Sequence, residues 1–371
     1  MYPQSFAVDY SRLERTLFTA ERMKVIRSVV VGAGALGNEV ARILGMLGAA
    51  QVVVVDPDVV EATNLPRSIF FSGGKSIGQN KARALAARAE DLFPDTNWVP
   101  IGNEIADVGF QLLGKSNLLF SCVDSDLARL EIAYISRRLN VPVVDGGLST
   151  HNFSHGRVTF FSRCRNQACY GCMLSPRKRR ELLELWQATL RPCEPADTNL
   201  GAGSTPTMAG IVGSMQVELG LRNFFGVGQE DTTASRSYEI QIHPQIRLDS
   251  FAVPTSVDCP FHESVGQLTA MPDANATFSD LLESVSGERV MLDWPICVEA
   301  RCIDCGREWP PMLRLAALRR RGRCPECGSA QVLELQTVRT IGHDSSWLHS
   351  TPAALQLPAD HLYTVQRCKS S

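Results

Sequence analysis

Two groups of residues in this 371-residue chain have the types and spacing to do chemistry. One is Gly32, Gly34 and Gly37, followed by Asp56, Asp58, Arg67, Lys81 and Asp124. The other is a series of close cysteine pairs, Cys169 with Cys172, Cys302 with Cys305, and Cys324 with Cys327. Glycines so spaced let the backbone turn sharply and let a phosphate reach the free N–H groups of a helix N-terminus, where the helix dipole favours an anion. A carboxylate at the end of the next strand accepts hydrogen bonds from ribose hydroxyls. Two cations and a further acid suit a triphosphate and Mg²⁺ better than a nicotinamide, which needs an apolar pocket and a hydride partner. Taken singly, Arg67 or Lys81 is an ordinary solvated charge; beside the glycine loop the pair favours a nucleotide.

The elements that must position these residues are legible. Val29 to Val31 is too short and too β-branched for anything but a buried strand. Apolar residues at helical spacing (Val40, Ile43, Leu44, Leu47) follow, and Gly48 ends the run. A second buried strand, Val52 to Val55, leads into Asp56, and a new helix opens at Lys81. Asn117 to Val123 is a third strand ending in Asp124, and Pro142 to Asp145 is another. Strand ends of a doubly wound sheet converge on one edge, so Arg67, Lys81 and Asp124 are expected to share a crevice with the glycine loop. The expected fold is therefore α/β: a doubly wound, mainly parallel, Rossmann-like sheet, with Arg157 to Phe161 starting an antiparallel extension. Residues 163–207 are polar and rich in Gly, Pro and Thr towards their end, the character of a functional loop. Met208 to Phe225 returns to an apolar helix of small residues.

The pairs Cys302/Cys305 and Cys324/Cys327 are each followed by glycine and stand eighteen residues apart. This spacing predicts two knuckles with an intervening hairpin, a zinc ribbon at about 295–335. Four thiolates leave no open coordination position, so the role is structural or partner-binding. Arg319, Arg320, Arg321 and Arg323 form a solvated face or one that meets an acidic partner.

Together the motifs resemble the ThiF/MoeB and ubiquitin-activating enzyme family. Its pattern is a GxGxxG, a DxD, an NLxRQ, a GxxK and an Asp at a strand end, and this chain departs from it in having Ser68 after Arg67 where the family has Gln. Here these are Gly32/Gly34/Gly37, Asp56/Asp58, Asn64-Leu65-Pro66-Arg67, Gly78 to Lys81, and Asp124. The resemblance covers roughly two-thirds of the chain and implies an adenylation domain over 1–265, with 266–371 appended. It implies MgATP-dependent adenylation of the C-terminal glycine of a ubiquitin-like protein, with Mg²⁺ near Asp124. Tyr10-Ser11-Arg12 resembles the family element whose arginine reaches the neighbouring protomer's ATP, which implies a homodimer. The other reading of Arg12 is an exposed arginine paired with Glu14 or Glu21. Leu13, Leu17 and Phe18 give this segment the apolar stripe of a helix. Cys169 and Cys172 resemble the family's zinc pair, completed by Cys259 and His262, with histidine where the family has cysteine. Two structural zinc ions are thus implied.

A carboxyl adenylate is a mixed anhydride, which a thiolate attacks readily. Cys193 is the nearest cysteine to the position the family uses, although counting back from Gly210 places Asn199 there. Thr198, Ser204 and Thr205 are the hydroxyl alternatives, and a reaction with no covalent step is the third reading. Cys122 is read as a core residue; Cys164, Cys297 and Cys368 are unassigned. A downstream carrier follows if the product is conjugated to protein. Sulfur-carrier activation for thiamine or molybdopterin-type synthesis is the nearest alternative, and the appended ribbon tilts towards conjugation. Outside this class stand an NAD-dependent oxidoreductase and a non-catalytic dimeric zinc scaffold.

Composition bounds the rest. Net charge is −2 with no long basic block, which argues against nucleic acid as a partner. No stretch of about eighteen apolar residues is present, so no membrane partner is expected. The N-terminus lacks the order of a signal peptide, and twelve cysteines without one indicate a reducing compartment. The expected location is cytoplasmic.

Overall fold

The computed structural model describes residues 8–149, 152–163, 167–187, 205–227, 234–262 and 266–367, with the side chains of 185–187 left aside. Cys193, Thr198 and Ser204, along with Cys164 and Cys368, lie outside the described residues. Two compact units divide the chain: 1–106, 115–170 and 202–255 form one, and 107–114, 171–201 and 256–371 the other.

The first unit is built on eight strands: β1 (Arg27–Val31), β2 (Gln51–Val55), β3 (Asn97–Ile101), β4 (Leu118–Ser121), β5 (Val143–Leu148), β6 (His155–Phe161), β7 (Arg236–Gln241) and β8 (Arg247–Ala252). Their order is β3-β2-β1-β4-β5-β6-β7-β8. The first five are mutually parallel, and β5 to β8 pair antiparallel, as the sequence predicts. Val29 to Val31 and Val52 to Val55 are buried on both faces, which is why these strands read as unbroken valine rather than as alternation. Helices Ala35–Met46, Lys81–Leu92 and Asp126–Leu139 follow β1, β2 and β4. Strand order reverses about β1, between β2 on one side and β4 on the other, which makes the carboxyl ends of these three strands a topological switch point. Helix Pro206–Phe224 starts on a Thr205 cap and buries Met208, Val212, Val217 and Leu221 in the same core. The N-terminal segment departs from its helical expectation. It forms a 3₁₀ turn at Leu13–Arg15 and a single α-turn at Ala20–Met23, with Thr19 capping the latter.

The second unit has a smaller, antiparallel sheet. Its strands are β9 (Leu268–Ala270), β10 (Arg289–Cys302), β11 (Glu308–Trp309), β12 (Leu313–Arg314), β13 (Val332–Gly342) and β14 (Leu362–Gln366). The long β10 is the hub, pairing with β11, β12, β13 and β14, while β9 extends the edge of β14. Phe278, Leu281, Val290, Ile341 and Tyr363 are central to its core. Between the two cysteine pairs the structure corrects the expected hairpin: β11 and β12 each pair with β10, and a helix spans Leu315–Arg321. Leu-Ala-Ala-Leu-Arg-Arg-Arg is a run of strong helix formers, with Leu315 and Leu318 buried on one face. Three arginines in its last turn complement the helix dipole, and Arg319 is paired with Glu334. No helix among the described residues is long and apolar enough to cross a membrane.

Candidate active site

The glycine loop is fastened to the ends of both neighbouring strands. Gly32 N–H donates to the Val55 carbonyl at 2.8 Å, and Cys122 N–H donates to the Val31 carbonyl at 2.8 Å. Gly32 adopts φ +93°, and a Cβ there would lie 2.6 Å from the Cys122 carbonyl oxygen, so only glycine fits. A Cβ on Gly37 would come within 1.8 Å of the Gly32 carbonyl oxygen, because the helix packs directly on the loop. Gly34 differs: nothing lies within 4 Å of where its Cβ would be. That open face, at the cap of helix Ala35–Met46, is where a phosphate can approach N–H groups that have no intrahelical partner.

Asp56 leaves β2 with its side chain almost fully buried. One carboxylate oxygen accepts from Ala33 N–H at 2.7 Å in the glycine loop, and the other from Asp58 N–H at 2.8 Å. Burial pushes its pKa up; the Ala33 N–H, the Lys81 charge and the Asp58 N–H oppose that shift, and the Asp58 charge adds to it. Lys81 Nζ lies 2.9 Å from Asp58 Oδ2, with the lysine side chain 14% and the aspartate 66% exposed. Asp124 is exposed, in the turn that leaves β4 and enters helix Asp126–Leu139. The structure therefore gathers the glycine loop, Asp56, Asp58 and Lys81 into one bonded group, and sets Asp124 on the adjacent strand end. Arg67 is half-buried at the end of a 3₁₀ turn, Ala62–Arg67. Asn64 is buried in the same turn, its carboxamide oxygen taken by Glu61 N–H at 2.9 Å. Arg12 is exposed beside Tyr10, whose hydroxyl donates to Asp95 at 3.0 Å. Glu14 is engaged by Ala20 N–H.

Three side chains that the sequence reading passed over organise the site. Asn38, fully buried, donates to the Ala33 and Gly34 carbonyls at 2.8 and 3.0 Å and accepts from Phe70 N–H at 3.0 Å. It thus ties the glycine loop to the 3₁₀ turn Ile69–Phe71, just beyond Arg67. Asn80 caps the Lys81 helix through Arg83 N–H and donates to the carbonyls of Asp56 and Asp58. Gln216, on helix Pro206–Phe224, donates to the Ser121 and Val144 carbonyls at 3.0 and 2.9 Å, bridging β4 and β5. The signal for Asn80 was its place immediately before a helix; for Asn38 and Gln216 it was a polar residue on an otherwise apolar helix face.

Among the candidate acyl acceptors, only Thr205 is described. Its hydroxyl accepts from Met208 N–H at 3.2 Å as a helix cap. Burial and the Asp145 charge push the Cys122 thiol up, so it makes a poor nucleophile. The buried Cys297 thiol is likewise pushed up to about 11 by burial.

Two sets of ligand residues were expected: Cys169, Cys172, Cys259 and His262, of which the last three fall in the second unit, and Cys302, Cys305, Cys324 and Cys327, whose four sulfurs all lie within 4.8 Å of one another. In the second set, Cys302 and Cys327 sulfurs are 3.6 Å apart, as are those of Cys305 and Cys324. Tetrahedral zinc with bonds of about 2.3 Å requires sulfurs about 3.8 Å apart, so these thiols fit zinc. Gly306 and Gly328 take positive φ and donate back to the Cys302 and Cys324 carbonyls, closing each knuckle. In the first set, Cys172 Sγ and His262 Nε2 are 3.3 Å apart, and Ser256 N–H donates to the same sulfur.

Comparison with known proteins accords with this geometry. A crystal structure of E. coli MccB with ATP superposes with TM-score 0.52 at 17% identity, over 70% of this chain and 75% of that one, which establishes the shared fold. Among curated relatives, the adenylyltransferase and sulfurtransferase UBA4 of Meyerozyma guilliermondii is 30% identical over 153 residues, 41% of this chain. That match spans only 35% of the relative's own length. The molybdopterin-synthase adenylyltransferase of Salmonella typhimurium is 26% identical over 210 residues, 56% of this chain and 77% of the relative. A model described as the ThiF family matches residues 12–260, and the chain belongs to that family.

Proposed function

We propose that this chain adenylates the C-terminal glycine of a ubiquitin-like protein with MgATP. The observation that carries the reading is the convergence about β1: an open glycine loop, Asp56 with Asp58 and Lys81 at the end of β2, and Asp124 at the end of β4. Both curated relatives are named as adenylyltransferases, which supports the same reaction class. Asp56 accepts from the ribose, while the loop N–H groups hold phosphate. The substrate carboxylate attacks the α-phosphorus and pyrophosphate leaves. No general base is needed, because the carboxylate is already ionised; positioning and charge stabilisation by Arg67 and Lys81 supply the catalysis. Asp124 would hold the magnesium ion, which would supply neutralisation of phosphate charge. Arg12 serves the site of a second copy in a homodimer, and Asn64 supports the Arg67 turn.

Cys193 then attacks the mixed anhydride, forming a thioester and expelling AMP, before a downstream carrier takes the acyl group. Thr198, Ser204 and Thr205 are the oxyester alternatives. Residues 1–265 carry the chemistry; 266–371, with its zinc ribbon, serve structure or partner binding. The reaction belongs in a reducing, cytoplasmic compartment. A second reading, activation of a sulfur carrier, draws on the names of the same relatives; there the adenylate is consumed by a sulfur donor and no enzyme adduct accumulates.

The test is ATP–pyrophosphate exchange with ubiquitin-like proteins ending in Gly-Gly, followed by mass spectrometry of the enzyme with and without hydroxylamine. Exchange is expected, falling at least about 10²-fold in Asp124→Ala and Arg67→Ala with zinc content unchanged. Retained exchange in both variants would remove these residues from the site. A hydroxylamine-labile adduct selects conjugation; exchange without one selects the sulfur-carrier reading.

A further inference from the structure

The turn that carries Asp124 is held on both sides by groups from outside it. On its N-terminal side, Arg129 Nη2 donates to the Val123 carbonyl at 2.8 Å and to the Gly146 carbonyl at 3.0 Å. Arg129 is itself fixed by the buried Asp145, 3.1 Å away, and Asp145 also accepts from Ser121 Oγ at 2.6 Å. On the C-terminal side, Asp126 accepts from the Tyr170 hydroxyl at 2.6 Å. Tyr170 is 4% exposed, and the Arg129 guanidinium lies over its ring at 5.8 Å. One tyrosine therefore touches both supports of the turn. It is also the residue that follows Cys169 in the chain.

We propose that Tyr170 is a positioning residue for the magnesium site: its hydroxyl on Asp126 and its ring under Arg129 hold the Asp124 turn in place. The inference rests on the reading of Asp124 given above and adds the residue that sets its geometry. A bond from a neutral donor to a carboxylate is strong, and losing it weakens the support on the C-terminal side of the turn. The effect should fall on the metal-dependent part of nucleotide binding, since the bond and ring contact of Tyr170 go to Asp126 and Arg129, beside Asp124.

The experiment is a Mg²⁺ titration of ATP binding by calorimetry on the full chain, for the wild type, Tyr170→Phe and Asp124→Asn, with zinc content measured in each. Tyr170→Phe is expected to raise the Mg²⁺ concentration at half-effect about tenfold, leave metal-free ATP affinity unchanged and keep two zinc ions per chain. Equal loss of metal-free and metal-dependent binding would reveal a general structural role and overturn the proposal. An unchanged titration in Tyr170→Phe, with magnesium dependence lost in Asp124→Asn, would overturn it while leaving the proposed function standing. Magnesium dependence retained in Asp124→Asn would instead sink the reading of Asp124, and the role of Tyr170 with it.

Discussion

The two units place their reactive side chains in opposite relation to their cores. In the first, valine strands buried on both faces form a core that needs no ligand, and the polar groups gather where those strands end. In the second, each cysteine pair sets one buried sulfur against the core and leaves its partner at the surface. Cys302 and Cys324 are 0% and 2% exposed, Cys305 and Cys327 are exposed, and Cys302 pairs with Val332 at the end of a central strand whose pairing is irregular between Met291 and Ile296. A parallel sheet creates a site as a by-product of its topology, and the site can change while the fold persists. A ribbon has too little apolar surface for that separation, and its ligands hold the fold together.

The largest expected effect breaks the second unit alone. Cys324→Ser removes one of four thiolates from a metal whose binding contributes roughly 10 kcal/mol or more to folding in small zinc modules. Metal analysis should fall from two zinc ions per chain to one, and the arginines from Arg314 to Arg323 should become sites of rapid tryptic cleavage, while ATP binding persists. Protection of that segment without metal would erase the contrast between the units. A smaller effect tests the first unit's framework. Asn38→Ala leaves Phe70 N–H and the Ala33 carbonyl without their buried partner, a loss of about 1–3 kcal/mol in denaturant unfolding. Nucleotide affinity should drop as well, since the glycine loop and the Arg67 turn lose their common tie. The smallest effect concerns pH. The folded pKa of Asp56 lies above its unfolded value, so the stability this group contributes is full below the ordinary carboxylate pKa and is lost as pH rises through the raised one. Denaturant midpoints of the wild type, followed upward from the ordinary carboxylate pKa, should carry this decline, and Asp56→Asn should remove it. Parallel profiles for the two proteins would show that burial does not perturb Asp56.

Much of this was readable from the chain because the signals are local. The valine runs fix the strands, Gly32 to Gly37 fix the loop, and the cysteine spacing fixes the knuckles. What escaped depends on partners distant in sequence. Asn80 supports carbonyls 24 and 22 residues away, and Gln216 reaches Ser121 across 95 residues. Arg129 and Asp145, sixteen residues apart in the chain, meet only because the sheet sets β4 beside β5. The segment between the ribbon pairs was misjudged for another reason. Ligand spacing constrains the knuckles and says nothing of what fills the gap, whereas the helix propensity of Leu315–Arg321 does. At the N-terminus, attention fell on Arg12, but Tyr10 makes the bond to Asp95, and the helix-ending Gly48 leaves room for its ring.

One detail at the end of β2 bears on turnover. Lys81 meets Asp58 at 2.9 Å, and the exposed carboxylate can swing aside more readily than the largely enclosed ammonium. Under the proposed function, a phosphate chain arriving there would evict a resident anion and leave the lysine as neutralised as before. Departure of the spent polyphosphate would be the same exchange in reverse, with Asp58 returning as the stand-in. The tempo of product release would then depend on that tethered acid as well as on the grip of the lysine.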